Sequence, residues 1–340
     1  MAGVNAATQL TKKPDIFDAV DDTDLANTPI FNQIEKAEPP ENDFFVWGAD
    51  APQTPTLGGS PDNRAWASPA SRSTRGDLKG RIQHREDDFG VGKVAQGNKV
   101  YATGGLSEYD YQAKGAMRLH ITSCELTIIS AQEAQAGSDS AQFLTRGLEL
   151  WTTDTANIAA QTDTDTRVAA AFRPKAAACH SLGPTGVANL TSEDDLNAVL
   201  SAMATSVNAK VKVHSFCTLE FKQKVSSWGN LVPVEDGFQT VRRFNSDADE
   251  KRLGVTIDIF AGDAGMMTLE WHPFMRQEAS MRAEALLLQW QHLKMRVREM
   301  PQNNKDLAKD GTRKRGQIFS TWGLQPGNPR FFGKFYTPAA

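Results

Sequence analysis

Cys179 and His180 stand side by side in AAACHS, His214 and Cys217 are spaced HxxC in KVHSFC, Glu193, Asp194 and Asp195 form an acidic run, and Lys309 to Gly316 reads KDGTRKRG. By type and spacing these could offer a thiolate nucleophile, a soft metal site, a carboxylate pair and a phosphate contact. Each has a plainer reading. Neighbours on a strand point to opposite faces, which separates Cys179 from His180. The HxxC pair lacks a second pair at metal-site spacing. The acidic run opens TSEDDLNAVLSAMATS, and the first turn of a helix attracts acids through its dipole. The basic loop has no interleaved aromatics and reads as a solvated turn, with phosphate contact as the alternative. Asp263, in AGDAG, is one carboxylate where calcium takes about six to eight oxygens. The patterns GxxxxGK[ST], GxSxG and HExxH do not occur. The expectation is a non-enzyme with no catalytic residue, metal ligand or cofactor. Cys124, Cys179 and Cys217 read as small buried thiols outside any disulfide framework.

Composition narrows the classes further. The 340 residues can bury a sizeable core. With 37 basic and 41 acidic residues the net charge is −4, so the overall field does not attract nucleic acid, which disfavours a dedicated DNA binder. No window approaches the ~20 apolar residues of a membrane span, and the N-terminus has no apolar stretch of signal-peptide length. A soluble protein is expected.

Those side chains must be placed by a chain whose character changes along its length. Eight of sixteen prolines fall in the first 70 positions, so EKAEPPEND, APQTPTLGGSPDN and SPASRSTRG should run as irregular extended chain. Two apolar islands interrupt it: TPIFNQIEK, with helical spacing, and DFFVWGAD, a strand. DFFVWGAD and RIQHREDDFGVGKVAQGNKVYATGG can pair as legs of a long hairpin with residues 51–80 as its tip. That loop is longer than a compact domain normally tolerates, so a neighbouring subunit is the natural source of order for it. Gly90, Gly92 and Gly97 are candidate bends in the return leg.

Ser107 with Asp110 opens the clearest helix, expected over 106–131 and about 39 Å long. Leu106, Tyr109, Ala113, Ala116, His120, Cys124 and Thr127 or Ile128 give it one weakly apolar face. A second helix over 191–206 buries Leu196, Val199, Leu200 and Met203. KVKVHSF is a strand, TLEFKQKVSSW a helix, and VTIDIF with MMTLEWH a hairpin across AGDAG. ALLLQW, LKMRVREM, RGQIFSTWGL and PRFFGKFY are strand-like. The fold class is α+β.

Taken in order, these segments resemble the major capsid (major head) proteins of tailed bacteriophages with the Hong Kong 97 capsid fold. The likeness is carried by TPIFNQIEK followed by the F-x-W strand, by GGLSEYDYQAKGAMRLHITSCEL with Ser107, Glu108, Tyr109, Gln112 and Glu125, by VTIDIFAGDAGMMTL and LLLQWQHLKMRV, and by GLQPGNPRFFGK. It covers residues 28–336. The resemblance implies an N-terminal arm (1–43), an extended loop (44–104), a peripheral domain with a long spine helix (105–175), an axial domain (176–301) and C-terminal strands returning to the peripheral domain (302–340).

It also implies function: a virion shell protein that self-assembles into hexamers and pentamers around double-stranded DNA, in the bacterial host cytoplasm. Expected partners are other copies of itself, a separate scaffolding protein, a portal and a decoration protein, with weak nonspecific contact to packaged DNA, no membrane and no cofactor. Apolar islands of arm and loop are expected to be buried on a neighbouring subunit through Phe31, Phe44, Val46, Trp47 and Trp66. Arg72, Arg75, Lys79, Arg81 and Arg85 against Glu86, Asp87 and Asp88 would set register between subunits. No intersubunit lysine–asparagine crosslink is expected. An encapsulin-like nanocompartment shell, or a soluble monomeric enzyme or binding module, are the alternatives.

Overall fold

The computed structural model describes residues 28–51, 57–59, 61–63, 74–98, 106–154, 157–228, 257–304, 307 and 311–338. Its helices are α1 (Pro29–Gln33), α2 (Lys93–Gly97), α3 (Glu108–Ile129), α4 (Leu148–Trp151), α5 (Glu193–Val207) and α6 (Leu219–Trp228). The strands are β1 (Glu35–Ala37), β2 (Phe44–Ala49), β3 (Gly76–Arg81), β4 (Gln83–Val91), β5 (Cys179–Ser181), β6 (Val211–Cys217), β7 (Ile259–Gly262), β8 (Gly265–Trp271), β9 (Ala283–Leu288), β10 (Leu293–Asn304), β11 (Lys314–Pro326) and β12 (Gly333–Tyr336). The chain divides into two compact units: described residues of 85–122 and 301–320 form one, and those of 28–84, 123–300 and 321–340 the other.

In the smaller unit α3 begins as its sequence dictates. The Ser107 hydroxyl accepts from the Asp110 N–H at 3.2 Å and donates to the Asp110 carboxylate at 2.6 Å, closing the first turn. The helix has 22 residues, about 33 Å at 1.5 Å per residue. Tyr109, His120, Cys124 and Ile128 of the expected face are buried, whereas Leu106 is exposed.

The larger unit holds a six-stranded sheet in the order β5-β12-β9-β6-β8-β7. β6 and β8 run parallel from Val211 opposite Gly265 to Cys217 opposite Trp271, β9 is antiparallel to β6, and β7 folds back on β8 as the expected hairpin. Leu196, Val199, Leu200 and Met203 of α5 are fully buried in one core with Phe221 of α6, Met267, Leu287 and Phe335. Ser192 caps α5 reciprocally with Asp195, so the acidic run serves the helix terminus. A second sheet has the order β1-β10-β11-β4, and β2 with β3 makes a separate two-stranded ribbon.

Several expectations need correction. β12, expected to return to the peripheral domain with the rest of 302–340, lies between β5 and β9 in the sheet of the 176–301 segment, where Phe335 completes that core. Within the 1–43 arm, β1 pairs in parallel with β10, Glu35 opposite Lys294, so this stretch is built into the chain's own sheet. Hairpin pairing reaches Ala49 opposite Gly76, which moves its tip from 51–80 to 50–75. The return leg splits after Arg81: β3 stays with β2, while β4 joins β11. Gly90 lies within β4 and Gly92 caps α2 in ordinary extended backbone, φ −67°, so neither is a special bend.

Candidate assembly surface

FFVWGA alternates its side chains across the β2/β3 ribbon, so one face carries Phe45 and Trp47 and the other Phe44 and Val46. The Phe45 and Trp47 rings stack with centroids 5.6 Å apart, Trp47 meets Trp151 at 5.7 Å, and its indole N–H donates to the Gly327 carbonyl at 2.8 Å. Glycine makes room for this packing. A Cβ on Gly80, directly opposite Phe45, would lie 2.7 Å from that ring, and one on Gly323 would lie 2.6 Å from it. Trp47 is therefore buried in its own chain, not held back for a neighbour. The outer face is different. Val46 is 48% exposed, and Phe44 is half-buried under the Arg81 guanidinium (5.3 Å) and the Lys79 ammonium (5.9 Å).

Phe31 is likewise buried within the chain. The reason lies on α3, where the fully buried Glu125 carboxylate accepts from the Ile30 N–H at 2.9 Å and the Phe31 N–H at 2.6 Å and pairs with His272 Nε2 at 2.8 Å. Glu125 thereby satisfies donors at the start of α1 that the helix itself leaves unpaired.

The charges expected to set register between subunits are partly used at home. Arg81 donates to Asp163 at 2.8 Å and Asp165 at 3.2 Å, and the Asp163 hydrogen bond raises its pKa against the opposing effect of burial. Arg85 pairs with Asp87 at 3.0 Å, and Glu86 accepts from Gln317 at 3.2 Å. Arg75 and Asp88 are exposed and Lys79 half-buried. Trp66 and Arg72 lie outside the described residues.

Asp87 continues into a buried chain of polar groups. His120 has no exposed surface, its Nδ1 is 2.6 Å from Asp87 Oδ2, and its Nε2 is 2.7 Å from Ser320 Oγ. Burial holds the His120 pKa below its usual value, and Arg85 acts in the same direction against the pull of Asp87. For Asp87 burial acts upward, but hydrogen bonds from Arg85 and His120 outweigh it and the carboxyl titrates low.

The sequence pattern described as SU10 major capsid protein matches residues 3–337. The chain belongs to that family. This capsid protein also shares its fold with solved phage capsids at low identity. The cyanophage A-1(L) capsid asymmetric unit aligns at TM-score 0.68 and 11% identity, over 98% of this chain and 97% of that one. A capsid chain of a native GTA particle gives 0.65 at 9%, over 98% of each, and a chain of Mycobacterium phage Cain 0.55 at 13%, over 100% of each. No curated protein matches. The protein is a shell-forming structural component of the virion capsid with the Hong Kong 97-like α+β fold, and it is not an enzyme.

In this capsid protein the Asp87–His120–Ser320 connectivity, which in a hydrolase would activate a nucleophile, is structural. Ser320 has no exposed surface on β11, so a substrate carbonyl has no access to it. Burial pushes the thiols of Cys179 and Cys217 up to about 12, leaving them protonated and unreactive. His214 pairs with Glu270 at 2.8 Å and the Cys217 thiol donates to the Glu270 carbonyl, which accounts for the HxxC pair. Among the described residues no group of three or more His, Cys, Asp and Glu is placed to hold a metal. Sequence reading gave Glu125 and His120 no bonding role. Ile30 lies 95 residues from Glu125 and Ser320 lies 200 from His120, separations that no local spacing reveals.

Proposed function

We propose that this capsid chain assembles as hexamers and pentamers into an icosahedral or prolate head shell around double-stranded phage DNA, and that the β2/β3 ribbon with its 50–75 connection reaches a neighbouring subunit. The family match across residues 3–337 carries the shell assignment. Support for the reaching ribbon is its outer face, where Val46 is exposed although the opposite face is packed. Covering Val46 on a neighbour would contribute on the order of 1 kcal/mol, so affinity must come from many such contacts repeated around the shell. Trp66, Arg72, Arg75, Lys79 and Asp88 remain the proposed contact set, with Phe44 and Val46 as its apolar part. Phe31, Trp47, Arg81, Arg85, Glu86 and Asp87 act through the subunit's own shape. The arm, extended loop, peripheral and axial division is retained in this reading, with β12 assigned to the axial sheet. A separate scaffolding protein, a portal and a decoration protein complete the assembly in the host cytoplasm, and the net charge of −4 suits a wall that does not grip DNA.

Size exclusion and electron microscopy of the purified protein test this. Rings or closed shells are expected. A stable 37.2 kDa monomer that forms neither under any assembly condition overturns it.

A further inference from the structure

In the smaller unit a groove of about 500 Å³ runs between α2, the first turn of α3 and the start of β11. Among the described residues its charged walls are Lys93, Arg313, Lys314 and Arg315 against one carboxylate, Asp110, which already accepts from Ser107. Lys93, Arg313 and Lys314 are exposed, and Lys314 lies 3.8 Å from the centroid of the buried Tyr109 ring. Beside Lys93 the apolar Val94 is 80% exposed, and Leu307 lines the groove floor. A net positive cleft with the exposed Val94 beside it and the half-buried Leu307 in its lining, on a chain of net charge −4, calls for an acidic, partly apolar occupant.

The chain carries one such segment. Residues 15–25 read DIFDAVDDTDL: five aspartates, no lysine or arginine, and Ile16, Phe17, Val20 and Leu25 between them. We infer that residues 15–25 of this chain dock in the groove formed by Lys93, Arg313 and Lys314, with the aspartates on the cations and the apolar residues over Val94 and Leu307. DNA is the weaker fit, since phosphate gains nothing from Val94 and Leu307. Docking a segment that precedes the packed α1 gives assembly a salt-sensitive contact that can be made and released without disturbing either core.

The inference rests on the assembly reading, and a charge-swap experiment on the full chain keeps the two separable. Arg313→Glu with Lys314→Glu, and separately Asp21→Lys with Asp22→Lys, should each lower the yield of closed shells on the order of tenfold at low salt. Combining all four should restore the yield to within a few-fold of wild type, and circular dichroism should show every variant folded. Carbodiimide treatment of the wild-type protein should couple Lys93 or Lys314 to aspartates of 15–24, as read by mass spectrometry. Failure of the swap to restore yield while wild type assembles, or absence of those couplings, overturns the inference alone. Loss of DNA retention in shells of normal yield on reversing Arg313 and Lys314 also overturns it, in favour of a DNA contact. Wild-type protein that never assembles instead overturns the reading beneath it.

Discussion

Two ionisable residues on α3 decide how the chain's outlying segments are held. Glu125 is buried and accepts from two backbone N–H groups and His272. Glu125→Ala would strand three buried polar groups at once, and a loss of about 3 kcal/mol or more is expected, read as a lower urea midpoint. His120 gives a pH signature. Its folded-state pKa lies below the ordinary 6.5, so the folded state stays neutral where the unfolded chain already binds a proton. Its contribution is therefore complete above about pH 6.5 and is lost as pH falls below it. Asp87, held below 3.8 in the fold, keeps its contribution until far lower pH, so the two windows separate. His120→Gln should flatten the fall in thermal midpoint as pH drops below 6.5, relative to wild type. Parallel pH profiles for the two proteins would exclude His120 as the titrating group.

At the level of elements, the β2/β3 ribbon separates what supports the subunit from what is available to a neighbour. Trp47→Ala removes the contact with Trp151 and the bond to Gly327, and should cost about 3 to 5 kcal/mol of subunit stability. Val46→Asp, one residue away on the outer face, should leave the thermal midpoint within about 2 °C and reduce shell yield. If Val46→Asp unfolds the subunit, or Trp47→Ala leaves its stability unchanged, the assignment of the two faces is wrong. The ribbon was legible in sequence because FFVWGAD alternates, but alternation could not say which face is covered, since both carry large apolar residues. α5 was legible throughout: LNAVLSAM puts Leu196, Val199, Leu200 and Met203 on one face, and the acids stand at its start. β12 could not be placed from sequence because FGKFY is too short to carry a partner preference, and its place follows from Phe335 filling a core whose other residues lie between Ala178 and Leu287. α1 was legible as a helix but not as an anchored one, because Glu125 caps it from 95 residues away.

For the whole molecule, the order of segments along the chain was the readable property, and no single motif carried it. What the order left open was how much chain each subunit keeps for itself. Residues 28–51 and 74–81 turn out to be secured by β1 pairing, the Glu125 cap and the Trp47 bond, so the connection between Ala51 and Thr74, together with the outer face of the ribbon, is left as the proposed reach. Deleting residues 52–73 tests that division. Ala49 and Gly76 are cross-strand partners, so Asp50, Ala51, Thr74 and Arg75 can close the ribbon as a four-residue turn of ordinary hairpin length, and β3 with its buried Leu78 stays in place. The shortened chain should keep its circular dichroism spectrum and thermal midpoint while closed shells disappear from electron micrographs and small oligomers remain. Shells of normal size and yield from the deletion would show that the connection is dispensable and that subunit contacts reside in the two packed units. An unfolded product would show that the connection belongs to the subunit core.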